Sequence, residues 1–239
     1  GIASVQIYSH GTDYIDGGTA SCSHNCIGSG FAGTCTADGV ASVDVTNAGS
    51  GYTHNGAAST DCTLPCTGSG FAGTCKADGI ASVSITTVGT GYTDGGAATA
   101  NCTGISGCTG SGFAGTCAVN TSSGGVIGVN ITNPGSGYDT SALPAIQCAG
   151  GNSDLVAVPT LGAVSEIIVT SVGSGYDTSN LPTITCAGGG SSLATTVSLG
   201  ALTGITVTDQ GIVQGSALDQ PGSAQLLHLL PEPKGACWS

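Results

Sequence analysis

The chain has no methionine and no arginine, and Lys76 and Lys234 are its only cations against fourteen acidic residues. Charged residues make up 7% and aromatic residues 4%, with a single tryptophan, Trp238. Each shortage excludes something. A formal net charge of -12 cannot neutralise a phosphate backbone, which excludes nucleic acid as a partner. The same sign opposes anionic membrane surfaces. No apolar run approaches the roughly 20 residues of a membrane-crossing helix. The longest, Leu226-Leu-His-Leu-Leu230, is far shorter, so no membrane insertion is expected. Without methionine, Gly1 reads as a processed or truncated end, with no signal peptide in view.

What the 239 residues do contain is glycine (43), cysteine (12) and a recurring unit of about forty residues. Its clearest copy is Val40-Ala-Ser-Val-Asp-Val-Thr-Asn-Ala-Gly-Ser-Gly-Tyr52, with near-copies from Ile2, Ile80, Val126 and Val164. The closing tyrosines, Tyr14, Tyr52, Tyr92, Tyr138 and Tyr176, are spaced by 38, 40, 46 and 38 residues. Such a period predicts an array whose units bury apolar faces against their neighbours. The units read as 1–39, 40–79, 80–125, 126–163 and 164–201, followed by a partial repeat and tail over 202–239.

Within a unit, Val43 and Val45, or Ile167 and Val169, alternate with Asp44 or Ile168. Period-two alternation of β-branched residues predicts a strand with one buried and one wet face. A Gly-Ser-Gly-Tyr turn follows, where glycine supplies positive φ. A second strand then runs to a cysteine, as in Leu143-Pro-Ala-Ile-Gln-Cys148. A third, such as Gly70-Phe-Ala-Gly-Thr-Cys75, returns through Ala77-Asp78-Gly79 to the next unit. The expected fold is all-β: a tandem array of three-stranded, disulfide-stabilised repeats, as a β-solenoid or as small β-sandwich modules.

Twelve cysteines in a charge-poor chain favour an oxidising compartment, hence a secreted or cell-surface protein. The first three repeats carry three each: Cys22, Cys26 and Cys35; Cys62, Cys66 and Cys75; Cys102, Cys108 and Cys117. The next two keep only Cys148 and Cys186. Second and third cysteines are thus present or absent together, which predicts Cys26–Cys35, Cys66–Cys75 and Cys108–Cys117. Cys22, Cys62, Cys102, Cys148, Cys186 and Cys237 are left without assigned partners. Cys-x3-Cys and Cys-x5-Cys do not match the usual zinc knuckle, so no metal is expected on them. Asn101, Asn120 and Asn130 begin Asn-x-Ser/Thr sequons, and Asn130 falls on a wet strand face that suits a glycan.

No catalyst emerges. His10, His24, His54 and His228 share no place in the repeat, and Gly49-Ser-Gly51 is a hairpin turn rather than a nucleophile elbow. Asp38 and Asp78 before glycine, and Asp139 and Asp177 after tyrosine, read as turn residues rather than a calcium nonapeptide. Thr46, Thr86, Thr132, Thr170 and Thr208 recur on the wet face as good strand formers, O-glycan sites or a binding ladder. No enzymatic activity and no cofactor are expected.

Through Gly-Ser-Gly-Tyr, Leu-Pro-x-Ile-x-Cys and Gly-Ser-Gly-Phe-Ala-Gly-Thr-Cys, residues 2 to 208 resemble extracellular glycine-rich β-repeats. The cysteine-bearing form is most similar to repeats of algal flagellar-hair (mastigoneme) glycoproteins. The resemblance implies a filament and offers no catalytic residue. The tail departs from it. Leu202-Thr-Gly-Ile-Thr-Val-Thr208 restarts the unit, but no Gly-Ser-Gly-Tyr follows. Ile205 and Val207 on this strand, with Leu226, Leu227, Leu229, Leu230 and Trp238, are the candidate assembly residues, docking head-to-tail on another copy. The sequence therefore predicts a glycosylated filament subunit, with an adhesin or carbohydrate-binding surface module as the second reading.

Overall fold

The structure, a computed structural model, describes residues 6, 7, 9–20, 29–62, 65–152, 154–188 and 190–212. Regular structure among them is all strand. In chain order the strands are β1 (Thr19–Ala20), β2 (Ser29–Thr36), β3 (Gly39–Ser50), β4 (Gly56–Asp61) and β5 (Ser69–Lys76). Then come β6 (Gly79–Val88), β7 (Ala97–Asn101), β8 (Ser111–Asn120), β9 (Gly125–Ser136) and β10 (Ala145–Cys148). The last are β11 (Leu155–Ala163), β12 (Glu166–Ser174), β13 (Thr183–Cys186), β14 (Ser191–Ala201) and β15 (Gly204–Ile212).

The two-residue alternation places side chains as the sequence predicts. Val83 and Ile85 of β6 turn inward, while Ser84 and Thr86 are exposed. Asp44, Asn130, Ile168 and Thr206 likewise face water, with Val43, Val129, Ile167 and Ile205 at least partly buried.

All long pairings are antiparallel and nested. The hairpin β8–β9 is innermost; outside it β6 pairs with β11, β5 with β12, β3 with β14 and β2 with β15. The chain thus runs outward to a tip at residues 121–124 and returns along its own track. At the tip the Gly124 amide donates to the Asn120 carbonyl at 2.8 Å, and Asn120 Oδ1 accepts from the Ser122 amide at 3.0 Å. Gly124 supplies the positive φ (69°) that closes the turn. The expectation that units stack on their sequence neighbours therefore gives way to a different rule, in which early strands pair with late ones.

The short second strands complete the sheets. Two four-stranded sheets run β10-β7-β8-β9 and β12-β5-β4-β13, and a third runs β1-β2-β15. The remaining pairs, β11-β6 and β14-β3, are two-stranded ribbons.

Three apolar clusters fill the spaces between them. Nearest the tip, Ile80, Phe113, Val126 and Ile146 join the first sheet to ribbon β11-β6. In the middle, Val40, Phe71, Ile167, Ile184 and Val197 join the second sheet to ribbon β14-β3. Farthest from the tip, Ala20, Cys35 and Leu202 pack with Ile7, Tyr14 and Ile205. Ile80, Val40 and Val126 are 0% exposed, and each such side chain contributes about 1.5–3 kcal/mol on burial. Ile80 and Val40 sit just past the Ala-Asp-Gly bends, where outgoing strands leave one sheet and enter the next ribbon.

Candidate functional site

Two turn families tie the outgoing track to the returning one. Backbone amides of Tyr14, Tyr52 and Tyr92 donate to the carbonyls of Gly200, Gly162 and Gly124, and those of Tyr138 and Tyr176 to Asp78 and Asp38. The rings reach inward. The amides of Phe71, Phe113 and Leu193 donate to the hydroxyls of Tyr176, Tyr138 and Tyr52, each at 3.3 Å, and the Tyr92 hydroxyl donates to the Asn152 carbonyl. Burial raises the Tyr138 phenol above its ordinary range, against the lowering effect of the Phe113 amide.

The aspartates before glycine do more than turn the chain. Asp38 accepts from the Gly175 amide at 2.8 Å and pairs with the Thr203 hydroxyl; Asp78 pairs with the Ser165 hydroxyl. They tie outgoing bends to the returning track. Asp139 and Asp177 each accept from a backbone amide two residues on, Ser141 and Ser179, at 2.8 Å. Those bonds hold both exposed carboxyls below their usual range.

The disulfides differ from the predicted ones. Cys62 bonds Cys66 and Cys102 bonds Cys108, closing the small loops. Cys75 bonds Cys186 and Cys117 bonds Cys148, each with Cα atoms 6.0 Å apart. The predicted Cys66–Cys75 and Cys108–Cys117 bonds are therefore incorrect, and Cys62, Cys102, Cys148 and Cys186, left without assigned partners by the sequence, gain them here. The physical reason is the nesting, which brings the third cysteine of an outgoing repeat beside the sole cysteine of its returning partner. The second and third cysteines are missing together from repeats four and five because those repeats supply only the return half. Cys35 is also disulfide-bonded and is 1% exposed. Cys22, Cys26 and Cys237 lie outside the described residues, and so does the predicted Cys26–Cys35 bond.

Of the assembly residues, Ile205 and Val207 stand on β15, opposite Cys35 and Gly33 of β2 in the same chain. Ile205 also packs into the third cluster. Leu226, Leu227, Leu229, Leu230 and Trp238 lie outside the described residues, as do His24 and His228. His10 is exposed, with Nδ1 2.6 Å from the Leu202 carbonyl, and His54 is exposed.

The sequon asparagines occupy three environments. Asn130 is exposed in mid-strand on β9. Asn120 is exposed at the tip. Asn101 is half-buried, its Nδ2 donating to Gln147 at 3.3 Å and its Oδ1 accepting from the Thr103 amide at 2.8 Å. Thr46, Thr86, Thr132 and Thr170 are all exposed. A groove of about 680 Å³ opens between β3 and β9, edged by Thr46, Asn47, Thr132, Asn133, Ser111 and Ser136, which sequence reasoning missed. Its two sides carry the same Thr-Asn pair, a symmetry that only the fold-back creates.

Lys76 and Glu166 form an exposed ion pair at 2.7 Å across β5 and β12. The disulfides suit an oxidising compartment, and among the described residues no helix is long and apolar enough to cross a membrane. Comparison with protein-family models, with curated proteins and with solved structures returned no match.

Proposed function

We propose that the chain is a structural subunit of an extracellular glycoprotein filament, assembling head-to-tail with other copies of itself through its terminal strands and tail. The observation that carries this reading is the succession of three small cores along one fold-back track, with every sheet open at its edges among the described residues. We read each core with its sheets as a small β-sandwich module, so that the modules make a rod with distinct ends. Among the described residues β1 and β15 are edge strands at the end far from the tip, and unpaired edge amides and carbonyls are templates for strand addition. A contact between unlike ends does not close and therefore propagates. Glycans on Asn101, Asn120 and Asn130 would complete the secreted subunit. The glycine-rich repeat resemblance agrees with this role.

Electron microscopy of native, unreduced protein over a concentration series tests the proposal. Filaments with a regular axial repeat are expected, and their loss when residues 213–239 are removed from a still-folded chain. Dispersed monomers at every concentration would overturn it.

One observation favours an adhesin or carbohydrate-binding module as the second reading. The groove between β3 and β9 presents hydroxyl and amide side chains on both walls, the chemistry that recognises sugars. Saturable binding of a glycan by the monomer, lost in Asn47→Ala and Asn133→Ala, would support that reading.

A further inference from the structure

The two complete sheets share one pattern, and the third sheet has most of it. In the second sheet, Cys186 of β13 stands opposite Ala58 of β4, and Ala58 opposite Gly73 of β5. In the first, Cys148 of β10 stands opposite Ala98 of β7, and Ala98 opposite Gly115 of β8. In both, the cysteine reaches the third cysteine of the outgoing repeat, Cys75 or Cys117. The third sheet repeats the inner strands: Ala20 of β1 stands opposite Gly33 of β2. The Cys35 amide donates to the Gly18 carbonyl at 2.7 Å, as the Cys117 amide does to Gly96 at 2.8 Å. Among the described residues, no fourth strand lies along β1, where the sister sheets hold β13 and β10.

We infer that Cys35 is bonded to Cys237 of the same chain. Elimination leads to the same pair. Among the described cysteines, only Cys35 has its bond partner outside the described residues, so that partner is Cys22, Cys26 or Cys237. Cys22 and Cys26 have the Cys-x3-Cys spacing of Cys62 and Cys66, which bond each other. Each outgoing repeat brings three cysteines and each returning segment brings one; Cys148 and Cys186 are two of these, and Cys237 is the third. A Leu-Pro pair precedes Cys237 as it does Cys148 and Cys186, with two more residues between. Reach is ample. Cys186 lies 12 residues past Ser174 and Cys148 12 past Ser136, the ends of their preceding strands, whereas Cys237 lies 25 past Ile212.

Forming the bond removes two protons and two electrons from the thiols of Cys35 and Cys237. A disulfide-bearing oxidant of the secretory environment takes them by thiolate exchange and leaves as a dithiol. The inference does not rest on the filament reading.

Trypsin and chymotrypsin together test it on wild-type protein, denatured without reductant after blocking free thiols. Cleavage after Phe31 and Tyr52 isolates Cys35 from Cys22 and Cys26, and cleavage after Lys234 and Trp238 isolates Cys237. The expected product joins 32–52 to 235–238, at the summed peptide mass less two hydrogens, and a non-reducing gel shows a single chain. A bond from 32–52 to the peptide holding Cys22 and Cys26, or a covalent dimer, would overturn it. Trypsin alone gives an independent reading, because residues 235–239 carry the only tryptophan. Indole fluorescence should stay with the unreduced wild-type body and leave it as a small peptide in Cys35→Ser. Retention in Cys35→Ser would also overturn the inference.

Discussion

The Tyr176 hydroxyl accepts the Phe71 amide at 3.3 Å, so a side chain on the returning track satisfies a backbone donor 105 residues earlier. The turn before it makes this possible. Gly173 has φ of 62°, and a Cβ there would lie 2.6 Å from the Phe71 nitrogen and 2.8 Å from Tyr176 Cε2. Tyr176→Phe should therefore cost about 1–3 kcal/mol, because it leaves the buried Phe71 amide without its acceptor and also removes the contact with the Thr60 hydroxyl. Gly173→Ala should cost about 2–4 kcal/mol, because left-handed backbone and a clash combine. Guanidinium unfolding of both variants checks the order, and a neutral Gly173→Ala would refute the packing described.

The disulfides should contribute in proportion to the loops they close. Cys75–Cys186 spans 111 residues and Cys62–Cys66 spans 4. The chain-entropy relation gives about 4.8 kcal/mol for the long loop and about 2 for the short one. Cys117–Cys148 lies inside the longer loop, which makes its figure an upper bound. Thermal unfolding of the paired serine variants should show the larger loss for Cys75/Cys186.

Stability should fall at both pH extremes for separate reasons. The folded Asp139 and Asp177 carboxyls are harder to protonate than the unfolded ones, because each accepts a backbone amide. Their contribution is complete above the unfolded value of about 3.9 and fades as pH drops through the lower folded values. Tyr138 is opposite in sign. Its folded phenol is harder to ionise, so its contribution is complete below about pH 10 and is lost as pH rises through the folded value. Carboxyl titration by NMR, and tyrosinate absorbance of wild type against Tyr138→Phe, report the two limits.

Glycan occupancy should follow exposure. Asn130 and Asn120 are open to a transferase, whereas Asn101 is half-buried, holds Gln147 through Nδ2 and precedes bonded Cys102. After secretion from a glycosylating host, peptide mass mapping should find Asn101 the least occupied of the three.

The strands were legible and their partners were not. Val83, Ser84, Ile85 and Thr86 reveal a strand and its wet face because alternation is local. Nothing local distinguishes which copy a strand will pair with, since β2, β5 and β8 share Ser-Gly-Phe-Ala-Gly-Thr-Cys. Two irregularities carried that information. The 46-residue spacing between Tyr92 and Tyr138 marks the longest repeat, and the tip lies inside it. The loss of two cysteines from each of the fourth and fifth repeats marks the return. Read as a broken translational pattern, the same residues led to the wrong disulfides.

The nesting also governs how the chain can assemble its fold over time. During synthesis β8 meets β9 almost at once, but β2 must wait for β15, about 170 residues later. Throughout that wait the outgoing half presents near-identical strands with one edge still unpaired, and the returning half of another molecule offers the same complement. Crowded nascent chains are therefore exposed to exchange of halves, which would yield intertwined dimers with native pairings. Dilution during refolding should suppress such exchange, since the hairpin at residues 120–125 gives the chain's own second half a local head start.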